Sequence, residues 1–411
     1  MLECCGTQYV NAALRQALLW KPGGDLLSSS KLTAIYWDGL LEYIEYLPPL
    51  LTSTLQILQV QLDIIENPRT LCIIYKTISL HSPSLRSFEL SFPPANEVNQ
   101  AISQSLGELF TLLTKLALIR LPSHCMTGEL FTVLSDLSRL QDLSLPPYPR
   151  VLYMDENILE RLRKLKTNDD QEARKDIPFR SLDKLDISGS DFMMAEILRR
   201  DIQLLKLVDL TYRGSSRNRT IAFMESVPRV CPNLEKISIF ANNSLPFEPF
   251  RSLLKCPALV KIVSDGTIDM DLEDIVIVAS DRSTWQVIVL PSVKPLGYQA
   301  LIPFAQNCPD LYQLGLKLTS TLGFPDINSF PMDVKFSSLT SLDVGLSVLT
   351  SDFALASFLS RICSKPIEIN SDGSQENCRL WKNAEELVNF VIKIQHHNQT
   401  LKDTVTLLRG N

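Results

Sequence analysis

A ten-residue phrase, CPNLEKISIF at 231–240, returns along the chain as CPALVKIVS at 256–264, CPDLYQLGL at 308–316 and FSSLTSLDV at 336–344. In the first copy Leu234, Ile237 and Ile239 stand three and two residues apart, and the isoleucines alternate with Lys236 and Ser238. Alternation with period two predicts a short strand with one apolar and one polar face. So small a unit cannot bury its apolar face alone, and its copies must stack on one another.

Taking the leading leucine-like residue of each copy as a marker gives Leu32, Leu55, Leu85, Leu113, Leu140, Leu182, Leu205, Leu234, Leu259, Trp285, Leu311 and Leu339. Ten of the eleven intervals lie within 23 to 30 residues, the period and head pattern of leucine-rich repeats. Between the strands the spacing turns helical. Val98, Ile102, Leu106, Leu109 and Phe110 form one stripe, and Phe353, Leu355, Ala356, Leu359 and Ile362 form another behind a capping Ser351 or Asp352. The expected fold class is α/β: over residues 29–370, a curved leucine-rich-repeat solenoid with parallel strands on the concave face and helices on the convex face.

Within it, the one long interval, 42 residues from Leu140 to Leu182, predicts an insertion at about 146–178, with a proline-marked turn, a short helix and a polar loop. KPIEIN at 365–370 supplies a last strand. An amphipathic helix at 383–395 lies in a C-terminal segment, 371–411, that caps the end of the stack. Proline disfavours helix at the residue before it, so Cys231, Cys256 and Cys308 mark where a helix stops, and their thiols are expected to be small buried fillers.

Composition narrows the chemistry. A net charge of −6 and a pI near 5.4 argue against nucleic acid as the main ligand, because such affinity rests on Lys and Arg neutralising phosphates. There is no apolar run of 18 residues, so no membrane partner is expected. Nine cysteines, two of them adjacent at Cys4 and Cys5, suit reduced thiols and a cytoplasmic or nuclear setting. No metalloprotease, hydrolase or phosphate-loop motif occurs, and the expectation is a noncatalytic protein without cofactor or metal. The adjacent pair His396 and His397 would point about 100° apart on a helix, a poor chelate. The acids Asp265, Asp269, Asp271, Glu273 and Asp274 lack the register of a calcium loop and are read as solvated charges at a helix N-terminus.

Residues 4–20, CCGTQYVNAALRQALLW, resemble the second half of an F-box, in which a cysteine and an aromatic on a helix precede an apolar segment ending in Leu-Trp. The Leu-Pro and Ile-Phe positions of the first half have no counterpart. With the Cys-Pro-x-Leu repeats, the chain resembles the fungal F-box and leucine-rich-repeat proteins. That resemblance implies F-box-like helices at 1–28, adaptor contacts at Cys5, Tyr9, Leu19 and Trp20, a Skp-type adaptor as partner, and the role of substrate-recognition subunit in an SCF-type, cullin-RING ubiquitin ligase. The alternative is a free-standing repeat scaffold with no ubiquitin role.

Under either reading the polar residues between the buried ones face outward on the concave side. Lys184, Asp186, Ser188, Asp209, Thr211, Lys236, Ser238, Phe240, Lys261, Gln313 and Lys317 mix both charges with an aromatic, a surface suited to a protein substrate.

Overall fold

The computed structural model describes residues 2–5, 32–39, 47–62, 68–94, 99–146, 178–188, 197–198, 200, 202–214, 216–325 and 334–409. These form two compact units, one of Met1–Arg213 with Arg229–Pro232 and one of Gly214–Pro228 with Asn233–Asn411. The expected insertion at about 146–178 falls almost wholly outside the described residues, as do Tyr9, Leu19, Trp20 and Val98.

Unit one carries β1 (Leu2–Cys5), β2 (Ala34–Gly39), β3 (Ile57–Leu62), β4 (Ser87–Ser91), β5 (Leu118–Arg120), β6 (Asp142–Ser144), β7 (Lys184–Ser188) and β8 (Asp209–Gly214). Each pairs in parallel with the next. The register sets Ile35, Leu58, Phe88, Ile119, Leu143, Leu185 and Leu210 side by side, each at most 1% exposed. The helices α1 (Pro68–His81), α2 (Asn99–Leu112) and α3 (Gly128–Asp136) lie on that apolar side, where Tyr75 and Phe110 meet the Phe88 ring edge-on at 6.4 and 5.6 Å.

In unit two the strands are β9 (Lys236–Ala241), β10 (Leu245–Pro246), β11 (Lys261–Ser264), β12 (Ile268–Asp269), β13 (Val287–Val289), β14 (Leu296–Gly297), β15 (Gln313–Gly315), β16 (Leu318–Thr319), β17 (Ser341–Gly345) and β18 (Glu368–Ser371). The sequence β9, β11, β13, β15, β17, β18 is parallel throughout, while β10 pairs with β12 and β14 with β16 at the strand exits. Helices α4 (Arg217–Val230, in this unit as far as Pro228), α5 (Phe247–Leu253), α6 (Leu272–Asp281), α7 (Leu301–Asn307), α8 (Asp352–Ile362) and α9 (Gln375–Arg409) complete it. Two runs of parallel strands with helices on the return make the chain an α/β leucine-rich-repeat solenoid.

One turn recurs at the head of the strands. The N–H of Leu55, Leu85, Leu116, Leu140, Leu182, Leu207, Leu259 and Leu311 donates to the carbonyl three residues back at 3.0 to 3.3 Å. Cys256 and Cys308 supply that carbonyl in two copies, which explains the Cys-Pro-x-Leu phrase: a small buried residue, a turn, then the core leucine. The same set corrects two markers. Leu116 replaces Leu113, and Leu207 replaces Leu205, which is 43% exposed. Each segment offers several leucines, and only Leu116 and Leu207 stand three residues ahead of the inward residues Ile119 and Leu210.

In the Trp285 copy Arg282 takes over the turn. Its guanidinium donates to the carbonyls of Leu254, Cys256 and Leu259 at 2.5, 2.6 and 3.0 Å and lies over the Trp285 ring at 4.9 Å. Those carbonyls end α5 and begin the next strand, so one cation takes the Leu254 and Leu259 carbonyls and adds a second donor to that of Cys256, which already holds the turn bond.

The last helix replaces a missing strand. The Asn389 side-chain amide takes both hydrogen bonds of Ile367, at 2.8 and 2.9 Å, and Asn377 does the same for Leu349 N–H and the Ser347 carbonyl at 3.2 and 2.7 Å. Glu385 accepts from Ile369 N–H at 2.9 Å. Trp381, Ala384, Val388 and Ile392 of α9 are buried beneath them. At α8, Ser351 caps as expected, accepting from Ala354 N–H at 3.2 Å, but Phe353 leaves the expected stripe and is 74% exposed. At about 100° per residue it sits roughly 130° from the centre of Leu355, Ala356, Leu359 and Ile362.

Leu234 and Leu311 are fully buried in the shared core. Replacing either by Asp should destabilise by roughly 3 kcal/mol or more, since a charge would enter unpaired; a thermal melt no lower than that of the native chain would contradict this register. Burial pushes the thiols of Cys256, Cys308 and Cys363 up to about 11, 12 and 12 from an ordinary 9.0. The unfolded chain therefore loses these protons first. Stability should be intact below pH 9 and fall as pH rises toward 12, in step with new thiolate absorbance.

Candidate functional site

The strand face away from the helices is where a repeat protein exposes side chains that packing does not claim. In unit one this face is closed over most of its length. One row across the strands holds Ala34, Ile57, Ser87, Leu118, Asp142, Lys184 and Asp209; the next holds Tyr36, Gln59, Glu89, Arg120, Ser144, Asp186 and Thr211. From β2 to β6 every one of these residues except Arg120 is at most 7% exposed, and Ala34, Tyr36, Ile57 and Leu118 form an apolar cluster. Strands with both faces buried lose the polar alternation of a half-exposed sheet.

Within that closed face lies a polar chain. Gln59 Nε2 donates to Glu89 Oε2 at 2.5 Å, and Arg120 donates to Glu89 Oε1 at 3.0 Å, with Glu89 1% exposed. Ser144 Oγ donates to Asp186 Oδ2 at 3.2 Å one strand further on. The parallel register makes this possible, because Gln59, Glu89 and Arg120 are in-register neighbours and strands lie about 4.8 Å apart. A buried carboxylate so held is a rigid structural element, since each acceptor bond offsets its desolvation.

At β7 and β8 unit one opens. Lys184, Asp186, Asp209 and Thr211 are half-exposed on the helix-free face as expected, with Ser188 at the end of β7. Burial pushes the neighbouring Asp183 carboxyl up, and Lys206 partly offsets it.

Unit two is open on this face except at its middle, where Val287 is 1% exposed and Gly315 is buried. Lys236, Lys261, Val287, Gln313, Ser341 and Glu368 share one row, and Ser238, Val263, Val289, Gly315, Asp343 and Asn370 the next. Lys236 is exposed, while Ser238, Phe240, Lys261 and Gln313 are half-exposed. The two lysines stand directly opposite each other, an arrangement that like charges disfavour unless an anion faces them. Gly315 keeps the middle low: a Cβ there would stand 2.7 Å from Val289 Cγ1. The surface runs from basic through aliphatic to acidic, with the Asp343 carboxyl pushed up by burial.

Lys317 does not join these rows. The β15 strand ends at Gly315, and Lys317 Nζ reaches the Val293 carbonyl at 3.4 Å beside the strand exit. At the N-terminus, Cys5 is the last residue of β1, paired with Asp38 of β2, rather than part of a helix. The exposed edge of β2 offers a row of backbone donors and acceptors, and Leu2–Cys5 satisfies them.

The acidic segment is taken up by structure. Asp265 Oδ1 accepts from Ala241 N–H at 2.9 Å, Asp269 lies 4.0 Å from Lys294, and Asp271 and Asp274 form a reciprocal capping box on α6. His396 Nε2 donates to the Ser364 carbonyl at 2.8 Å. Among the described residues no group of three His, Cys, Asp or Glu stands close enough to hold a metal ion. None of the described helices is long and apolar enough to cross a membrane.

Sequence reasoning missed Gln59, Glu89 and Arg120, although a signal was present. Each stands four residues after its marker, Leu55, Leu85 and Leu116, the offset shared by Asp186 and Ser238.

No family model and no curated protein matches this chain. Among solved structures it is similar to an internalin of Listeria monocytogenes at 15% identity, covering 89% of this chain and 93% of that one with a TM-score of 0.41. It is also similar to a chain of the yeast Rad7 and Elc1 complex at 13% identity, covering 90% and 88% with a TM-score of 0.40.

Replacing Glu89 by Ala should strand Gln59 in the closed face and lower stability by roughly 2 kcal/mol. Lys184→Ala, half-exposed, should change it by less than about 0.5 kcal/mol. Urea titrations of both variants check the contrast.

Proposed function

We propose that this chain is a noncatalytic protein-binding module that takes a protein substrate on the open part of its helix-free strand face. The observation that carries the reading is the graded surface of β9 to β18, with an opposed pair of lysines, valines around a flattened centre, and acids at the far side. A surface of this kind offers charge steering at its rim and apolar contact in its middle.

The finer proposal is a substrate-recognition subunit of an SCF-type ubiquitin ligase, acting in cytoplasm or nucleus. Its support is the resemblance at Cys5, Tyr9, Leu19 and Trp20. Favouring the free-standing scaffold instead is the backbone of β1, where Cys5 pairs as a strand. A Skp-type adaptor incubated with the full chain separates the two: retention that Leu19→Asp abolishes supports the ligase role, and no retention supports the scaffold.

For the binding face itself, the double variant Lys236→Ala with Phe240→Ala should melt within a few degrees of the native chain yet lose at least tenfold in affinity for proteins captured by it. Unchanged capture by the variant would move the site elsewhere.

A further inference from the structure

The helix α9 carries more apolar surface than its own unit uses. It runs for 35 residues, about 52 Å at 1.5 Å per residue. Trp381, Ala384, Val388 and Ile392 are buried against the last repeat. Leu387, Phe390, Ile394 and Leu401 form a second stripe and are 37%, 61%, 44% and 50% exposed. At about 100° per residue the second stripe spans roughly 60° and is centred about 130° from the first. Its spacings of three, four and seven are those of a coiled-coil seam.

Past Ile392 the helix leaves the repeat. Every side chain from Lys393 to Lys402 is exposed, and His396 bonds the Ser364 carbonyl near the point of departure. Most helical stability in proteins comes from packing of an apolar face rather than from intrinsic propensity, so a projecting segment of this kind is stabilised by a packing partner.

We propose that α9 pairs, antiparallel and centred near Phe390, with α9 of a second copy of this chain. Charge selects the occupant and its direction. Glu386 and Lys393 are both exposed, lie one heptad apart on the same flank of the stripe, and carry opposite signs. Turned antiparallel about a point between Leu387 and Phe390, two copies set each Leu387 against the other's Phe390 and each Glu386 beside the other copy's Lys393. Leu401 then falls opposite the first turn of the other helix, beside the aliphatic stems of Glu376 and Arg379, both exposed. A parallel pair would place Glu386 opposite Val391 and leave it unmatched. The eight apolar side chains with those stems remove on the order of 1,000 Å² from water, the lower range of a specific interface, so the dimer forms at micromolar concentration.

Sedimentation equilibrium of the full chain over 1–200 μM tests this. The native chain should reach a dimer, and Phe390→Glu should be monomeric throughout with an unchanged melting transition, because Phe390 is exposed in the single chain. Glu386→Lys or Lys393→Glu alone should weaken the dimer several-fold, and the two together should restore it. A monomeric native chain, a dimer that survives Phe390→Glu, or charge reversals that do not rescue one another would each overturn the proposal.

Discussion

A short parallel strand with one apolar face has no stable place except beside its copies, and everything else in this chain follows from that. In each unit a column of inward residues is shared between neighbours, from Ile35 to Leu210 in one and from Ile237 to Ile369 in the other. The carbonyl just before each strand takes two N–H groups from the next copy, as Gln56 does for Arg86 and Ser87 at 2.8 and 2.9 Å. Register is thereby set twice, by packing and by hydrogen bonding. A slip of one residue would turn every strand inside out.

Stacking creates two costs, and the structure answers each with side chains. The turns at the strand heads leave carbonyls to satisfy, and Arg282 serves three at once. The last strand leaves a ladder edge, and Glu385 and Asn389 of α9 stand in for the main chain that would otherwise follow, while Asn377 does so for Ser347 and Leu349 beyond β17. The proposed binding falls to the face that neither answer occupies. In unit one that face is closed by burial from β2 to β6, so the half-exposed residues of β7 and β8 and the open rows of unit two are where a partner can reach.

Much of this was legible in the sequence, for physical reasons. Period-two alternation at Ile237 and Ile239 and the recurring Leu234, Leu259 and Leu311 specify strand, face and spacing directly. Where a segment holds several leucines, as at 113–116 and 204–207, periodicity alone cannot tell which one keeps the three-residue lead, and the turn hydrogen bond decides. Alternation also says that Gln59, Glu89 and Ser144 face away from the helices without saying that this face is closed, because closure depends on contacts remote in sequence. Lys317 followed from extending β15 two residues too far, and the strand's end is set by pairing with β17 rather than by composition. The second stripe of α9 escaped notice because the first already satisfied the expected amphipathic pattern.

The claim that the open strand face is the binding surface is tested most directly by lysine footprinting. The full chain, alone and with a captured protein partner, is acetylated briefly and each lysine's modification is read by mass spectrometry. The account predicts protection of Lys236 and Lys261, with Lys255 and Lys365, exposed outside the strand rows, labelled equally in both states. Protection of Lys255 or Lys365 with Lys236 and Lys261 still reactive would contradict it.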